Sequence, residues 1–331
     1  MNPLQDTFGR KHNYLRISIT ERCNLRCTYC MPEQGVILSP KAHLMTADEV
    51  YALAERFVSL GVTKIRLTGG EPLVRKDAPE IIERLAGLPV ELSLTTNAVI
   101  VDRFIAQFKS AGIKTINVSL DSLLASKFKS ITRRDDFERV IKNIHLLINE
   151  GFKVKLNCVL MKGFNENEIV DFIALTQDLP ITVRFIEFMP FDGNRWNKDK
   201  LVTYNDILEQ AYQKWTKEEL VRLQDAPNDT SRNYKVTGFQ GSFAIISTVT
   251  NPFCDSCNRV RLTANGKIKN CLFSNSEVDL LTAHRQGEDI TPLIAKAVKA
   301  KFAMRGGMST DEAFSDPANY NQNRSMITIG G

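Results

Sequence analysis

Between about residues 14 and 187, short β-type runs alternate with amphipathic helical stretches. This alternation constrains the chain more than any other feature, because βα units in series build a mostly parallel sheet with right-handed crossovers. The predicted strands are 14–19, 64–68, 91–95, 115–120, 153–160 and 182–188, each rich in Val, Ile, Leu, Phe or Thr. Two of the stretches between them show helical periodicity plainly. Val50, Leu53, Ala54 and Phe57 share one face of 47–60, and Val140, Ile141, Ile144 and Leu147 share one face of 137–149. Thr46, with Glu49 three residues later, carries a capping-box signature. A closed barrel needs about eight βα units. Six therefore predict an α/β fold built as an open, partial TIM-type barrel.

The pattern changes near residue 190. A polar loop (191–200), a helix (203–215), a turn-rich segment (226–233), strands at 234–237 and 243–249 and helices at 277–283 and 293–304 follow. The expected division is a barrel over 1–190 and a C-terminal α+β extension over 191–331 that closes the barrel opening. A chain of 331 residues can bury a substantial core without disulfide staples. It holds no apolar run of about 18 residues, so no membrane span is expected. The polar segment 1–11 lacks the apolar stretch of a secretory signal, and the expected location is cytoplasmic. A net charge of +5, without a clustered Lys/Arg stripe, argues against nucleic acid and suits a local basic pocket for an anionic small molecule.

Seven cysteines, an odd number in a chain without a secretory signal, argue against a disulfide framework. Cys158 lies in an apolar run and reads as a buried structural thiol. The other six form two triplets. Cys23, Cys27 and Cys30 have the spacing C-x3-C-x2-C directly after the first strand. Cys254, Cys257 and Cys271 have the spacing C-x2-C-x13-C. Three thiolates can each hold one iron of a cubane [4Fe–4S] cluster and leave the fourth iron open to an external ligand. Zinc is the alternative, but it asks for four ligands in a structural site. No nearby residue completes either triplet; His284 is the nearest histidine to the second and reads as part of a solvated helix face. Polar residues cluster at the predicted strand ends: Gly69-Gly70-Glu71-Pro72, Thr95-Thr96-Asn97, Ser119-Leu120-Asp121 and the stretch from Arg184 to Met189. Lys155 and Asn157 lie within the fifth strand. In βα barrels this rim is where active sites form.

The first triplet, with aromatic Tyr29 before its last cysteine and Gly-Gly-Glu-Pro after the next strand, resembles the signature of the radical S-adenosylmethionine (SAM) superfamily. The segment Cys-Asn-Arg-Val-Arg-Leu-Thr-Ala-Asn-Gly (257–266), the later Cys271-Leu272 and the tail ending Gly330-Gly331 resemble the C-terminal signature of the GTP 3',8-cyclase family of molybdenum cofactor synthesis. The resemblance runs from about residue 14 to 331.

It implies two [4Fe–4S] clusters, with SAM on the open iron of the first and the guanine of GTP against the open iron of the second. Tyr29, Gly70, Glu71, Ser119 and Met189 match SAM-binding positions. Arg16, Arg66, Thr95, Lys155, Arg259, Val260 and Arg261 match GTP-binding positions, and Arg259, Arg261, Gly330 and Gly331 match the catalytic set, with the tail reaching the active site. The implied reaction is a radical cyclisation. Hydrogen is abstracted from the ribose 3' position, the new carbon radical attacks C8 of guanine, and an electron and a proton complete 3',8-cyclo-7,8-dihydro-GTP. The implied partners are an external electron donor, a second copy in a homodimer, and the next enzyme, cyclic pyranopterin monophosphate synthase. Chemistry agrees with the basic residues, since the planar arginine fork matches phosphate oxygens. Arg66 alternates with Ile65 and Leu67, so it shares a strand face with Lys64 and Thr68.

Overall fold

The computed structural model describes residues 2–32, 34–320 and 323–330. Its strands join one twelve-stranded sheet. In chain order they are β1 (Tyr14–Ser18), β2 (Lys64–Thr68), β3 (Glu91–Thr96), β4 (Thr115–Ser119), β5 (Lys153–Leu160), β6 (Thr182–Glu187), β7 (Leu220–Arg222), β8 (Arg232–Val236), β9 (Ser242–Ile246), β10 (Arg259–Leu262), β11 (Lys267–Lys269) and β12 (Val278–Asp279). Their order in the sheet is β12-β11-β10-β1-β2-β3-β4-β5-β6-β9-β8-β7.

The parallel part holds eight strands, two more than the six predicted. Strand β10 adds in parallel beside β1, and β9 adds in parallel beside β6. Both come from beyond residue 190, so the C-terminal segment is woven into the same sheet at both flanks. Periodicity could not show this. Strand β10 reads Arg-Val-Arg-Leu, and its two arginines hide a strand pattern whose polar face meets a cavity.

Helices α1 (Ala47–Ser59), α2 (Ala78–Ala86), α3 (Ile105–Ser110), α4 (Ala125–Thr132), α5 (Phe137–Asn149) and α6 (Ile169–Ala174) fall between the first six strands. Helix α1 starts where its capping box predicts. Glu49 N donates to Thr46 Oγ1 at 3.2 Å, and Thr46 N donates to Glu49 Oε2 at 2.7 Å. Its predicted apolar face is buried: Val50, Leu53, Ala54 and Phe57 have no exposed surface. A fully buried Phe or Leu contributes about 1.5–3 kcal/mol, so this face alone fixes α1 against the sheet. Strand β5 divides its side chains by parity. Val154, Leu156, Cys158 and Leu160 are buried in the helix-covered core, while Lys155, Asn157 and Val159 are half-buried on the other face. Cys158 is fully buried, as its apolar run predicts.

Beyond α7 (Tyr204–Lys214), the C-terminal part departs from its predicted helices. The predicted helix 277–283 begins instead as β12, paired antiparallel with β11, and only α8 (Leu281–Arg285) is helical. A two-residue strand has no periodicity to read. Helix α9 (Thr291–Lys299) ends five residues before its predicted end, and the chain turns so that Lys301 is buried. The loop expected to be polar over 191–200 is pinned by apolar residues. Phe191 and Trp196 join Phe188, Phe273, Phe314 and Tyr320 in a second core, and Trp196 Nε1 donates to Phe188 O at 2.8 Å.

Candidate functional site

The first cysteine triplet sits on the loop leaving β1. The two glycines after β2 make room for it. A Cβ on Gly69 would lie 2.7 Å from Thr20 O, and one on Gly70 would lie 2.4 Å from Arg22 O. Gly70 N donates to Thr20 O and Glu71 N to Arg22 O, both at 2.8 Å. The glycines therefore let two backbones touch, which only a residue without Cβ permits. Glu71 is almost fully buried. Its carboxylate accepts from Leu73 N, Thr96 Oγ1 and Asn97 N at 3.1, 2.8 and 2.7 Å, tying β2 to the end of β3. Burial outweighs those bonds and pushes its pKa up to about 7.

Asn97 reaches back to the loop, donating to Asn24 Oδ1 at 2.7 Å and to Cys23 Sγ at 3.7 Å. The Tyr29 hydroxyl donates to Asp121 Oδ2 at 2.7 Å, and Asp121 Oδ1 accepts from Val159 N at 2.8 Å. Burial raises the thiol pKa of Cys23 to about 11 and drives Cys27 and Cys30 up as well, with the other thiols adding to it. Three half-buried thiols that resist ionising singly become ligands once a cationic group sits among them.

The second triplet brackets β10 and β11, and the two ends of the chain hold it in place. Arg10 Nη1 donates to Cys254 O at 2.8 Å, Arg305 N donates to Cys254 Sγ at 3.5 Å, and Lys301 Nζ donates to Cys257 Sγ at 3.3 Å. Burial opposes ionisation of Cys257, yet Lys301 and Arg259 outweigh it and bring its pKa down to about 6. The six thiols of the triplets are free of disulfides. Among the described residues, no three His, Cys, Asp or Glu side chains gather closely enough to hold a single metal ion. Both triplets keep the three free thiols that an incompletely ligated cubane requires.

All six thiols line one cavity of about 310 Å³. Arginines from four strands enter it: Arg16 from β1, Arg66 from β2, Arg184 from β6, and Arg259 and Arg261 from β10. Pairing sets them side by side, since Arg16 is in register with both Arg66 and Arg261. The Nε atoms of Arg16, Arg66 and Arg184, Nη2 of Arg259, the Tyr14 hydroxyl and Asn157 Oδ1 are buried without a hydrogen-bond partner. Burial, reinforced by neighbouring guanidinium groups, holds Arg16 well below its ordinary pKa and brings Arg184 down to about 9. Buried cations and unpaired donors in this number describe a site shaped for an anion.

Of the remaining predicted residues, Tyr29, Gly70, Glu71, Thr95, Ser119 and Met189 line the same cavity. Lys155, Val260 and Gly330 are not among its lining residues. Lys155 lies on the same face, in register with Asn117, and its pKa is lowered by burial and then by Arg184 and Arg66. Val260 faces the helix-covered core at 1% exposure, because alternation turns it away from Arg259 and Arg261. Gly330 O accepts from Arg261 Nη1 at 2.7 Å, and a Cβ on Gly330 would lie 2.7 Å from both Ser18 Cβ and Thr68 Oγ1. Gly331 lies outside the described residues. Arg184 was missed as a site residue in the sequence. Its signal was present: a lone cation two places from each of Thr182 and Ile186, on the face opposite Val183 and Phe185.

Comparison with known proteins accords with this geometry. Residues 17–176 match the model of the Radical SAM superfamily, and residues 181–305 match that of Molybdenum Cofactor Synthesis C. Molybdenum cofactor biosynthesis protein 1 of Mus musculus is 47% identical over 99% of this chain, and the match spans 51% of that protein. The mitochondrial GTP 3',8-cyclase of Arabidopsis thaliana is 48% identical over 99% of this chain and 83% of that protein. The chain thus spans about half the length of the mouse relative and most of the plant one. Among solved structures, Streptococcus suis SuiB shares the fold, with a TM-score of 0.62 at 15% identity over 87% of this chain and 67% of that one. A cysteine loop after the first strand and a second triplet flanking β10 and β11 thus fall in the two matched regions, and the chain belongs to the radical SAM superfamily and, within it, to the GTP 3',8-cyclase family of molybdenum cofactor synthesis.

Proposed function

We propose that this chain converts GTP to 3',8-cyclo-7,8-dihydro-GTP, the first step of molybdenum cofactor synthesis, as a SAM-dependent radical cyclase. One observation carries the reading: two cysteine triplets from opposite ends of the chain share one cavity with five arginines. Cys23, Cys27 and Cys30 would hold a [4Fe–4S] cluster with SAM, and Cys254, Cys257 and Cys271 a second cluster facing the guanine. When bound, the first cluster and SAM supply the one-electron cleavage that starts radical chemistry.

The chain's own part is positioning. The Gly69-Gly70 contact fixes the cysteine loop against β2. Tyr29, Gly70, Ser119 and Met189 form the SAM side, and Glu71 holds that rim together through its three accepted bonds. Arg16, Arg66, Arg184 and Arg259 present unpaired donors to a triphosphate, Arg261 adds its charge beside them, and Thr95 lines the same cavity. Lys155 adds positive charge on the same face, and Val260 serves through its main chain. Arg261 holds the Gly330 carbonyl, which brings the described end of the tail toward the substrate. The cavity walls fix which substrate atom lies nearest a reactive carbon.

We also infer two regions that meet near residue 190, a partial barrel over 1–190 that carries the first cluster and a C-terminal extension over 191–331 that carries the second and the tail. The sheet is read as an open, partial barrel, because side chains from eight parallel strands converge on one cavity. An external electron donor, a homodimer and transfer of product to cyclic pyranopterin monophosphate synthase complete the proposal. Among the described residues, no helix is long and apolar enough to cross a membrane. The cytoplasmic location remains a proposal that cell fractionation tests, since the plant relative's name carries the word mitochondrial.

Anaerobic reconstitution with iron and sulfide, followed by assay with SAM and dithionite, tests the activity. Formation of 5'-deoxyadenosine that depends on GTP, with consumption of GTP, is expected. Equal SAM cleavage with and without GTP would overturn it.

A further inference from the structure

The two triplets differ in what donates to their sulfurs. Cys23 Sγ receives neutral donors, Leu25 N at 3.4 Å and Asn97 Nδ2 at 3.7 Å. Cys257 Sγ receives an ammonium, Lys301 Nζ at 3.3 Å. Lys301 is only 5% exposed, and the same nitrogen donates to Arg259 O at 2.8 Å. Two acceptors fix the ammonium beside the thiolate rather than leaving it to rotate in solvent. The early end of α9 is what brings it there, since the chain turns at Ala300 with Lys301 N bonded to Val298 O. The charges around the first triplet are mixed, with Glu71 and Arg26 near Cys23 and Asp121 near Cys27 and Cys30. Near the second triplet the facing charged groups are cationic: Lys301, Arg259, Arg261, Lys269 and Arg10.

A buried cation needs an anion, and the anion that Lys301 touches is a cluster-ligating thiolate. Hydrogen bonds and positive charge at such sulfurs stabilise the reduced cluster, which carries one more negative charge, and so raise its reduction potential. We propose that Lys301 is a positioning residue of the second iron–sulfur centre, holding Cys257 Sγ and keeping that centre at a higher reduction potential than the first. This rests on the two-cluster reading above. The division suits the chemistry. The first cluster must be a strong reductant to cleave SAM. A second cluster of higher potential can take up an electron without cleaving SAM itself.

The test uses the full chain with Cys23→Ala, Cys27→Ala and Cys30→Ala, so that only the second site is titrated. Lys301→Met and Lys301→Gln are compared with Lys301 in that background by iron content and by a redox titration followed by electron paramagnetic resonance. Second-site iron in all three, with a midpoint potential that falls from Lys to Gln to Met, is the expected result. An unchanged potential in Lys301→Met overturns the proposal. Loss of second-site iron from both variants, with the fold intact, also overturns it, because Lys301 would then be a packing residue. Absence of any iron from the Lys301 background removes the two-cluster reading itself, and the inference goes with it.

Discussion

Arg184 shows how a single residue trades stability for a site. Its guanidinium bonds Asn117 Oδ1 but leaves Nε buried and unpaired. It is 8% exposed, and burial and Arg66 act against its charge more than Tyr14 and Asp229 favour it. An uncompensated buried cation is unfavourable, and replacing it by an apolar side chain of similar length is often neutral or stabilising. The same unpaired donor favours a phosphate when one is bound. Arg184→Met should therefore raise KM for GTP, lowering kcat/KM by roughly 10–100-fold for one or two lost charge-assisted hydrogen bonds. The ligand-free chain should melt no lower than the parent. Steady-state kinetics with calorimetry of the apo chain checks both halves, and a lowered apo Tm with unchanged KM would mean that Arg184 is structural.

At the scale of elements, the segment preceding β1 is built around a buried histidine. His12 has no exposed surface, and its Nδ1 lies 3.2 Å from Leu4 O. Burial, and next the nearby Lys301, hold the imidazole pKa down to about 4. Asp6 lies 3.7 Å from Nε2 and pulls the other way, too weakly to win. Between about pH 6.5 and 4 the folded chain binds fewer protons than the unfolded one, so this contribution is present above pH 6.5 and lost as pH falls toward 4. A shift of that size corresponds to roughly 3 kcal/mol. In His12→Gln, the drop in denaturant midpoint between about pH 7 and pH 4.5 should be smaller than in the parent apo chain. Equal drops would show that His12 does not titrate in this way.

On the scale of the whole molecule, the two ends of the chain close on each other. Arg10 pairs with Asp6 at 2.6 Å and donates to Cys254 O, Phe302 O and Ala303 O at 2.8, 2.8 and 2.9 Å. Asn258 Nδ2 donates to Asn13 Oδ1 at 2.8 Å. Strand β10 then pairs with β1, so the second triplet is carried to the flank of the strand that launches the first. Arg10→Ala removes the clamp between the N-terminal segment and both Cys254 and the 301–305 turn. A reconstituted variant challenged with an iron chelator should lose its second-site iron faster than its first-site iron, with a stability loss on the order of 3 kcal/mol from several charge-assisted hydrogen bonds. Parallel loss from both sites would place the clamp's effect on the fold as a whole.

Much of this was legible from the sequence because it is local. The six first strands, the capping box of α1, the apolar faces of α1 and α5 and the two cysteine triplets all depend on spacings of two to thirteen residues. Spacing of that kind is dictated by backbone geometry and ligand chemistry. What sequence could not decide is pairing between distant segments. That β9 and β10 extend the parallel sheet, that Arg184 joins Arg66 and Arg261 in one cavity, and that Val260 turns away from it follow from register across the sheet. Gly69 and Gly70 stand out in sequence as a pair at a strand end, but only the packed loops show that they lie against the backbone of Thr20 and Arg22. Lys301 reads in sequence as a charge near a helix end, and becomes a partner of Cys257 only where the chain turns inward. Local chemistry wrote the two half-sites, and the long-range hydrogen bonding of the sheet brought them into one chamber.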